Sequence, residues 1–286
     1  MSNTITPSLV KKFVPVRKLS SRKGDNGKVL VLGGSYIYHG APALSSLAAL
    51  KTGADLVYTC VPKINVQSTR AVSPNLIVIP LVDSKLTRGA VNKLLGQIPN
   101  DLDSATIGMG LSIQDPEALK LLVKSLLDRD VRLSLDATAL VNYILPLLSG
   151  KNVVVTPHAG EFKKMFGEAP PESKSARITM VEKFAKENSV TILLKGQTDI
   201  ISNGTKTYIN PTNTPGMTVG GTGDILSGII AGMLARNRDA LESAVVSAYF
   251  NGLAGKMTQK KLGPHMTATD LLDALPAVMK SFDKIK

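Results

Sequence analysis

Short β-rich runs alternate with helical stretches from Lys28 to Lys195, and that alternation restricts the fold more than any other feature of the chain. "KVLVLGG" (28–34), "DLVYTC" (55–60), "LIVIPL" (76–81), "SATIGMG" (104–110), "VRLSLD" (131–136), "NVVVTP" (152–157) and "VTILLK" (190–195) read as strands. Between them, "APALSSLAALKTG" (41–53), "TRGAVNKLLGQI" (87–98) and "DPEALKLLVKSLLDR" (115–129) carry apolar residues at helical spacing. Strands that alternate with helices in this way belong in a mostly parallel sheet covered on both faces. After Lys195 the order changes. "TDIISNGTKTYIN" (198–210) predicts a hairpin turning at Asn203-Gly204. From Gly223 the chain reads as helical almost to its end, with Thr267 and Asp270 spaced as a helix-start cap. No internal repeat or low-complexity linker interrupts residues 1–286, so a single α/β domain is expected.

Composition removes several function classes. The longest uncharged apolar segment, Ile225 to Ala235, is too short to cross a bilayer. The start, "MSNTITPSLVKKFVPVRKL", lacks the apolar core of a signal peptide. Cys60 is the only cysteine, which excludes an internal disulfide and fits a reducing compartment, so a cytoplasmic protein with no membrane partner is expected. Aromatic residues make up 4% of the chain and Trp is absent, a poor supply for stacking single-stranded bases. The net charge of +12 is spread over small clusters and fits a solvated lysine-rich surface, an attraction for anionic small molecules, or nucleic-acid binding. Charge alone does not choose. No helix-turn-helix or zinc motif supports a nucleic-acid partner, and no His/Cys cluster suggests zinc or iron.

In open parallel sheets ligands collect beyond the C-terminal ends of the strands. "GGSYIYHGAP", "GMGLS", "LDATAL", "TPHAGE" and "LKGQTD" are polar or glycine-rich strand ends, and "GGTGD" joins them as a sixth piece of one cleft. Each has a plain alternative: glycine turns a chain, and Asp136 caps a helix. In "MTVGGTGDILSGIIAGMLA" (217–235), Asp224 sits where a helix begins, a place whose free N–H groups and dipole attract anions. Why a carboxylate should sit at a place so well suited to hold a phosphate is the question this segment raises. The structural alternative is a capped buried helix whose Gly228 and Gly232 permit close packing. Lys195 is either a strand-end cation for a phosphate or a solvated turn lysine. His158 is either a ligand contact or a structural hydrogen-bonding residue, and Glu161 either positions Mg2+ through water or caps a helix.

"KGDNGKVLVLGGSYIYHGAP", "GADLV", "TPHAGEF", "LLKGQTDIIS" and "NTPGMTVGGTGDILSGIIAG" occur in the order found in the ADP/ATP-dependent NAD(P)H-hydrate dehydratases, relatives of ribokinase. The chain resembles that family from about Lys23 to about Pro276. The glycine–aspartate segment is shared with small-molecule kinases, whereas "GGSYIYHGAP" with "TPHAGE" is narrower. The resemblance implies a three-layer ribokinase-like fold, here as a standalone dehydratase domain without the epimerase domain of many relatives. It implies NADH hydrate and NADPH hydrate as substrates, ADP or ATP as phosphoryl donor, Mg2+ as cofactor and a homo-oligomer. The chemistry the resemblance implies makes Asp224 the expected base, beside an anion cradle formed by the amides of Gly221, Thr222 and Gly223. Ala41, Gly110, His158 and Asp224 are expected to contact the hydrated dinucleotide, and Lys195, Gly196, Gln197, Thr198, Asp199 and Gly223 the adenine nucleotide. His39, Ser112 and Thr138 depart from the family pattern on the substrate side. The alternative activity is a kinase of a small alcohol such as a hydroxymethylpyrimidine or thiazole vitamin precursor; a non-catalytic nucleotide- or nucleic-acid-binding module is the third reading.

Overall fold

In the computed structural model, which describes residues 2–237 and 239–286, ten strands form one sheet. In chain order they are β1 (Ser2–Thr4), β2 (Lys28–Leu32), β3 (Leu56–Pro62), β4 (Ile77–Leu81) and β5 (Ser104–Ile107). They continue as β6 (Arg132–Leu135), β7 (Val153–Val155), β8 (Thr191–Leu194), β9 (Asp199–Ser202) and β10 (Thr207–Asn210). Across the sheet the order is β1-β10-β9-β8-β7-β6-β5-β2-β3-β4. Among the described residues β9 alone opposes its neighbours, β8 and β10; the other pairings are parallel.

The helices are α1 (Pro7–Phe13), α2 (Ala41–Lys51), α3 (Val66–Val72), α4 (Arg88–Leu95), α5 (Pro116–Leu127) and α6 (Leu145–Leu148). They are followed by α7 (Ala159–Phe166), α8 (Lys174–Asn188), α9 (Thr222–Asn237), α10 (Ala240–Leu262) and α11 (Ala268–Met279). The pleat explains why strands such as β2 and β7 run apolar over successive residues. Leu30 and Leu32 face α4, α5, α7 and α8, whereas Val29 and Val31 face α2 and α9. In β7, Val153 and Val155 join the first of these layers and Val154 the second, with α9, α10 and α11. Successive side chains point to opposite faces. A strand with helices on both sides therefore favours apolar residues at successive positions. Among the described residues no helix is long and apolar enough to cross a membrane.

The expected hairpin is β9–β10, closed by Asn203 Oδ1 accepting from Thr205 N and Lys206 N, with Gly204 at φ +83°. The expected cap is also present, Asp270 Oδ2 accepting from Thr267 N at 2.7 Å. The basic start holds two elements that the sequence pattern does not announce. Strand β1 pairs in parallel with β10, Ser2 opposite Thr207, and α1 begins at Pro7 behind a Thr6 cap. A three-residue strand carries no readable periodicity; a partner two hundred residues away defines it.

Helix α9 lies close against α2. A Cβ on Gly228 would stand 2.0 Å from the Ser45 carbonyl oxygen, so only glycine allows the approach. Ser45 Oγ and Ser227 Oγ hydrogen-bond across the same contact at 3.2 Å. The close-packing role expected for Gly228 and Gly232 is thus real, and it fixes where the first turn of α9 stands relative to the sheet.

Candidate active site

Strand order reverses beside β2: β3 and β4 lie to one side, β5 to the other. Such a switch point opens a crevice at the C-terminal strand ends. The segments after β2 and β5 both reach a cavity of about 600 Å³ there, lined by Ser35, Tyr38, Ala41, Lys85, Gly110, Ser112, Thr138 and Asp224. A second cavity of about 480 Å³ is lined by His158, Lys195, Gly196, Gln197, Asp199, Thr222, Gly223 and, further along, Met217, Leu226 and Asn251. Adjacent residues in the first turn of α9 serve different cavities: Gly223 lines the smaller and Asp224 the larger.

Asp224 is largely buried. Burial, and then the nearby Asp136 carboxylate, push its carboxyl up to about 7 against the opposing pull of Lys195. Such a carboxyl exchanges its proton near neutral pH, where a general base works best. The neighbouring amides of the first helical turn have no partner within the helix and carry the positive end of its dipole. A Cβ on Gly223 would meet only Lys195 Nζ, at 3.8 Å, and one on Gly220 nothing within 4 Å. Protein packing therefore does not require glycine at either position; Gly223 lines the smaller cavity, whereas Gly220 is exposed and lines neither.

Lys195 is not a solvated turn residue. Its Nζ donates to Asp136 Oδ1 at 2.8 Å and lies 3.5 Å from Glu161 Oε2. Burial works against its charge, but the Asp136 and Glu161 carboxylates outweigh burial and raise its pKa, so it is a fixed cation. Asp136 does not cap the next turn through its side chain. It accepts from Thr156 Oγ1 at 2.8 Å as well as from Lys195. Asp199 anchors the loop after β8: Oδ1 accepts from Gly196 N and Asn213 Nδ2, and Oδ2 from Asn210 Nδ2. Its burial raises its pKa to about 6, although these three donors favour the charged form.

The structural reading of "TPHAGE" is realised as a helix cap. His158 is the N-cap of α7, its Nδ1 accepting from Gly160 N at 3.0 Å and Glu161 N at 3.3 Å, and Glu161 Oε2 accepts from His158 N at 2.8 Å. His158 Nε2 lies 3.6 Å from Glu161 Oε1, and His158 lines the smaller cavity, beside Lys195, rather than the one with Ala41 and Gly110. Thr198 and Gly221 line neither cavity. Gly221, at φ +99°, packs under Ala268 and Leu44 as the bend into α9, while Thr222 Oγ1 donates to Met217 O and Val219 O and ties that bend down. Of the three departures, Ser112 and Thr138 line the larger cavity; exposed His39 does not. Among the described residues no group of three His, Cys, Asp or Glu could hold a metal. Glu161, the residue expected to hold Mg2+ through water, lines neither cavity: its Oε2 accepts from His158 N and lies 3.5 Å from Lys195 Nζ, so an ion here would keep its waters and rest mainly on substrate phosphates.

Sequence reasoning misses Asp136 as the partner of Lys195, Lys85 and Tyr38 at the larger cavity, and Met217 and Asn251 at the smaller. Asp136 ends a strand in a polar residue, a signal that was readable; its partner, 59 residues away, was not.

The chain matches the family model described as NAD(P)H-hydrate dehydratase over residues 29–277. It is 70% identical over 282 residues to the ADP-dependent (S)-NAD(P)H-hydrate dehydratase of Nitrosopumilus maritimus (strain SCM1), covering 99% of this chain and 98% of that protein. The ADP/ATP-dependent NAD(P)H-hydrate dehydratase of Bacillus subtilis, co-crystallised with ATP and Mg2+, superposes with a TM-score of 0.86 at 28% identity, with 99% of each chain covered. A ribokinase-like superfamily protein from Enterococcus faecalis V583 superposes at 0.80 with 25% identity, covering 99% of this chain and 97% of that one. The fold is ribokinase-like, and the chain belongs to the NAD(P)H-hydrate dehydratase family.

Proposed function

We propose that the protein, working as a single domain, dehydrates NADH hydrate and NADPH hydrate, using ADP as phosphoryl donor. The carrying observation is the placement of Gly223 and Asp224, next to each other at the start of α9 and each lining a different cavity. A base and an anion cradle belong side by side where a hydroxyl must meet a phosphoryl group. The larger cavity receives the hydrated nicotinamide against Tyr38, Ala41 and Gly110, with Lys85 available to a phosphate of the dinucleotide. The smaller receives the nucleotide, its terminal phosphoryl group near Gly223 and Lys195. ADP is preferred to ATP in this reading because the relative at 70% identity is named for ADP.

The hydrate carries a hydroxyl on the carbon beside the ring nitrogen, and hydroxide leaves poorly at neutral pH. Asp224 accepts the hydroxyl proton as the oxygen bonds to phosphorus and the bond from phosphorus to the departing AMP oxygen breaks. The amides of Thr222 and Gly223 and the Lys195 ammonium hold the charge that spreads over the phosphoryl oxygens. Bound with the nucleotide, Mg2+ would supply charge neutralisation at the phosphates, and Glu161, beside Lys195, would be the side chain to reach its water shell. The ring nitrogen lone pair then expels phosphate, and loss of a proton from the next ring carbon restores the double bond.

The test mixes prepared hydrate with ADP or ATP and follows near-ultraviolet absorbance and phosphate together. Recovery of the reduced cofactor with one free phosphate per turnover is expected, faster with ADP. A stable phosphate ester, with no recovered absorbance, would make the protein a kinase of the alternative class.

A further inference from the structure

The smaller cavity holds polar atoms that the protein itself leaves unanswered. Asn251, on α10, is 6% exposed and lines the cavity, yet its Oδ1 has no hydrogen-bond partner. Thr214 Oγ1, on the same lining, is also buried without a partner. A buried amide oxygen left unpaired is unfavourable, and one that lines a cavity can be completed by a ligand.

The lining around Asn251 differs from that around Lys195. Pro215, Met217 and Leu226 supply apolar surface there, with Met217 seated against Gly255, one turn of α10 beyond Asn251. Lys195, Gly196 and Gly223 supply the charge and open backbone for phosphate. A flat, apolar ring with a polar edge fits beside Met217 and Leu226, and the amide is the group that can read that edge.

Resting on the reading of this cavity as the nucleotide site, we propose that Asn251 selects adenine: Oδ1 accepts from the exocyclic amine while Nδ2 donates to ring nitrogen N7. This is the two-point pairing by which an asparagine side chain recognises adenine. Hypoxanthine presents a carbonyl and N7, two acceptors. Whichever way the amide is turned, one of them meets an oxygen.

Direct calorimetric binding, without hydrate, compares ADP, IDP and 7-deaza-ADP on the wild-type protein and on Asn251→Leu, a substitution of similar volume. Wild type should bind ADP about ten-fold or more tightly than either analogue, in keeping with the discrimination of a two-point pair. Asn251→Leu should lose that advantage by weakening ADP while leaving IDP within about two-fold; a merely structural effect would weaken all three alike. Equal binding of the three nucleotides by wild type, an unchanged ADP/IDP ratio in Asn251→Leu, or no ADP binding at all overturns the assignment. The analogue comparison needs no variant to fold. Tight ADP binding without hydrate turnover would instead sink the dehydratase reading and leave base recognition standing.

Discussion

At the scale of single residues, Asp224 combines a catalytic need with a cost to the fold. Its carboxyl titrates near 7 because it is buried beside Asp136, whereas in the unfolded chain it titrates near 3.8. Between those values the folded state holds a proton that the unfolded state has released, so stability falls as pH rises from about 4 through about 7. The same ionisation activates the base, so kcat/KM should rise with pH through about 7 and level off above it. Asp224→Asn should lower turnover by about 10²–10⁴-fold with nucleotide affinity largely kept. It should also stabilise the protein at pH 8 by on the order of 1–2 kcal/mol, with the gain vanishing near pH 4. Thermal melts of both proteins across that range, read beside a pH–rate profile, test the two halves together. A wild-type rate in the variant would remove Asp224 from the chemistry.

At the scale of elements, the first turn of α9 is held by contacts made further along the helix. Gly228 touches the Ser45 carbonyl, so Gly228→Ala must push α9 away from α2. That overpacking should cost about 1–3 kcal/mol and carry Gly223 and Asp224 out of register, lowering both melting temperature and kcat. Gly223→Ala is the control, since an added Cβ there lies in the smaller cavity and meets only Lys195 Nζ, at 3.8 Å. Its melting temperature should stay at the wild-type value while KM for the nucleotide rises, because the methyl group occupies space left for phosphate. Equal loss of stability in both variants would contradict a ligand-shaped opening. The glycines of one short segment thus divide into those required by packing and those that packing leaves free, a division their sequence spacing does not reveal.

At the scale of the molecule, both helical layers pack on one sheet, and the two cavities meet at its strand ends. A ligand bound there should stabilise the whole sheet. ADP with Mg2+ at a hundred times its Kd should add about 2.7 kcal/mol. Far-ultraviolet and near-ultraviolet circular dichroism should report the same upward shift in one transition. Two transitions, with only one of them responding to ADP, would show that the layers unfold separately. The near-ultraviolet signal rests on tyrosine and phenylalanine, since Trp is absent.

Much of this organisation was legible in the residues. Alternating β-rich and helical runs predicted a covered parallel sheet; Asn203-Gly204 marked the hairpin and Thr267 with Asp270 the last helix cap. These features are local: a periodicity, a turn geometry and a cap are decided by residues within reach of one another along the chain. The glycine-rich run before α9, with its single carboxylate, belongs to the same class, which is why Asp224 could be singled out. Tertiary structure alone decided the rest. The sheet brings Lys195 to Asp136, folds β1 against β10, separates His158 from Ala41 and Gly110 into different cavities, and leaves Asn251 unpaired. Each of these depends on groups far apart in the chain, whose burial and hydrogen bonds exist only once the strands have assembled.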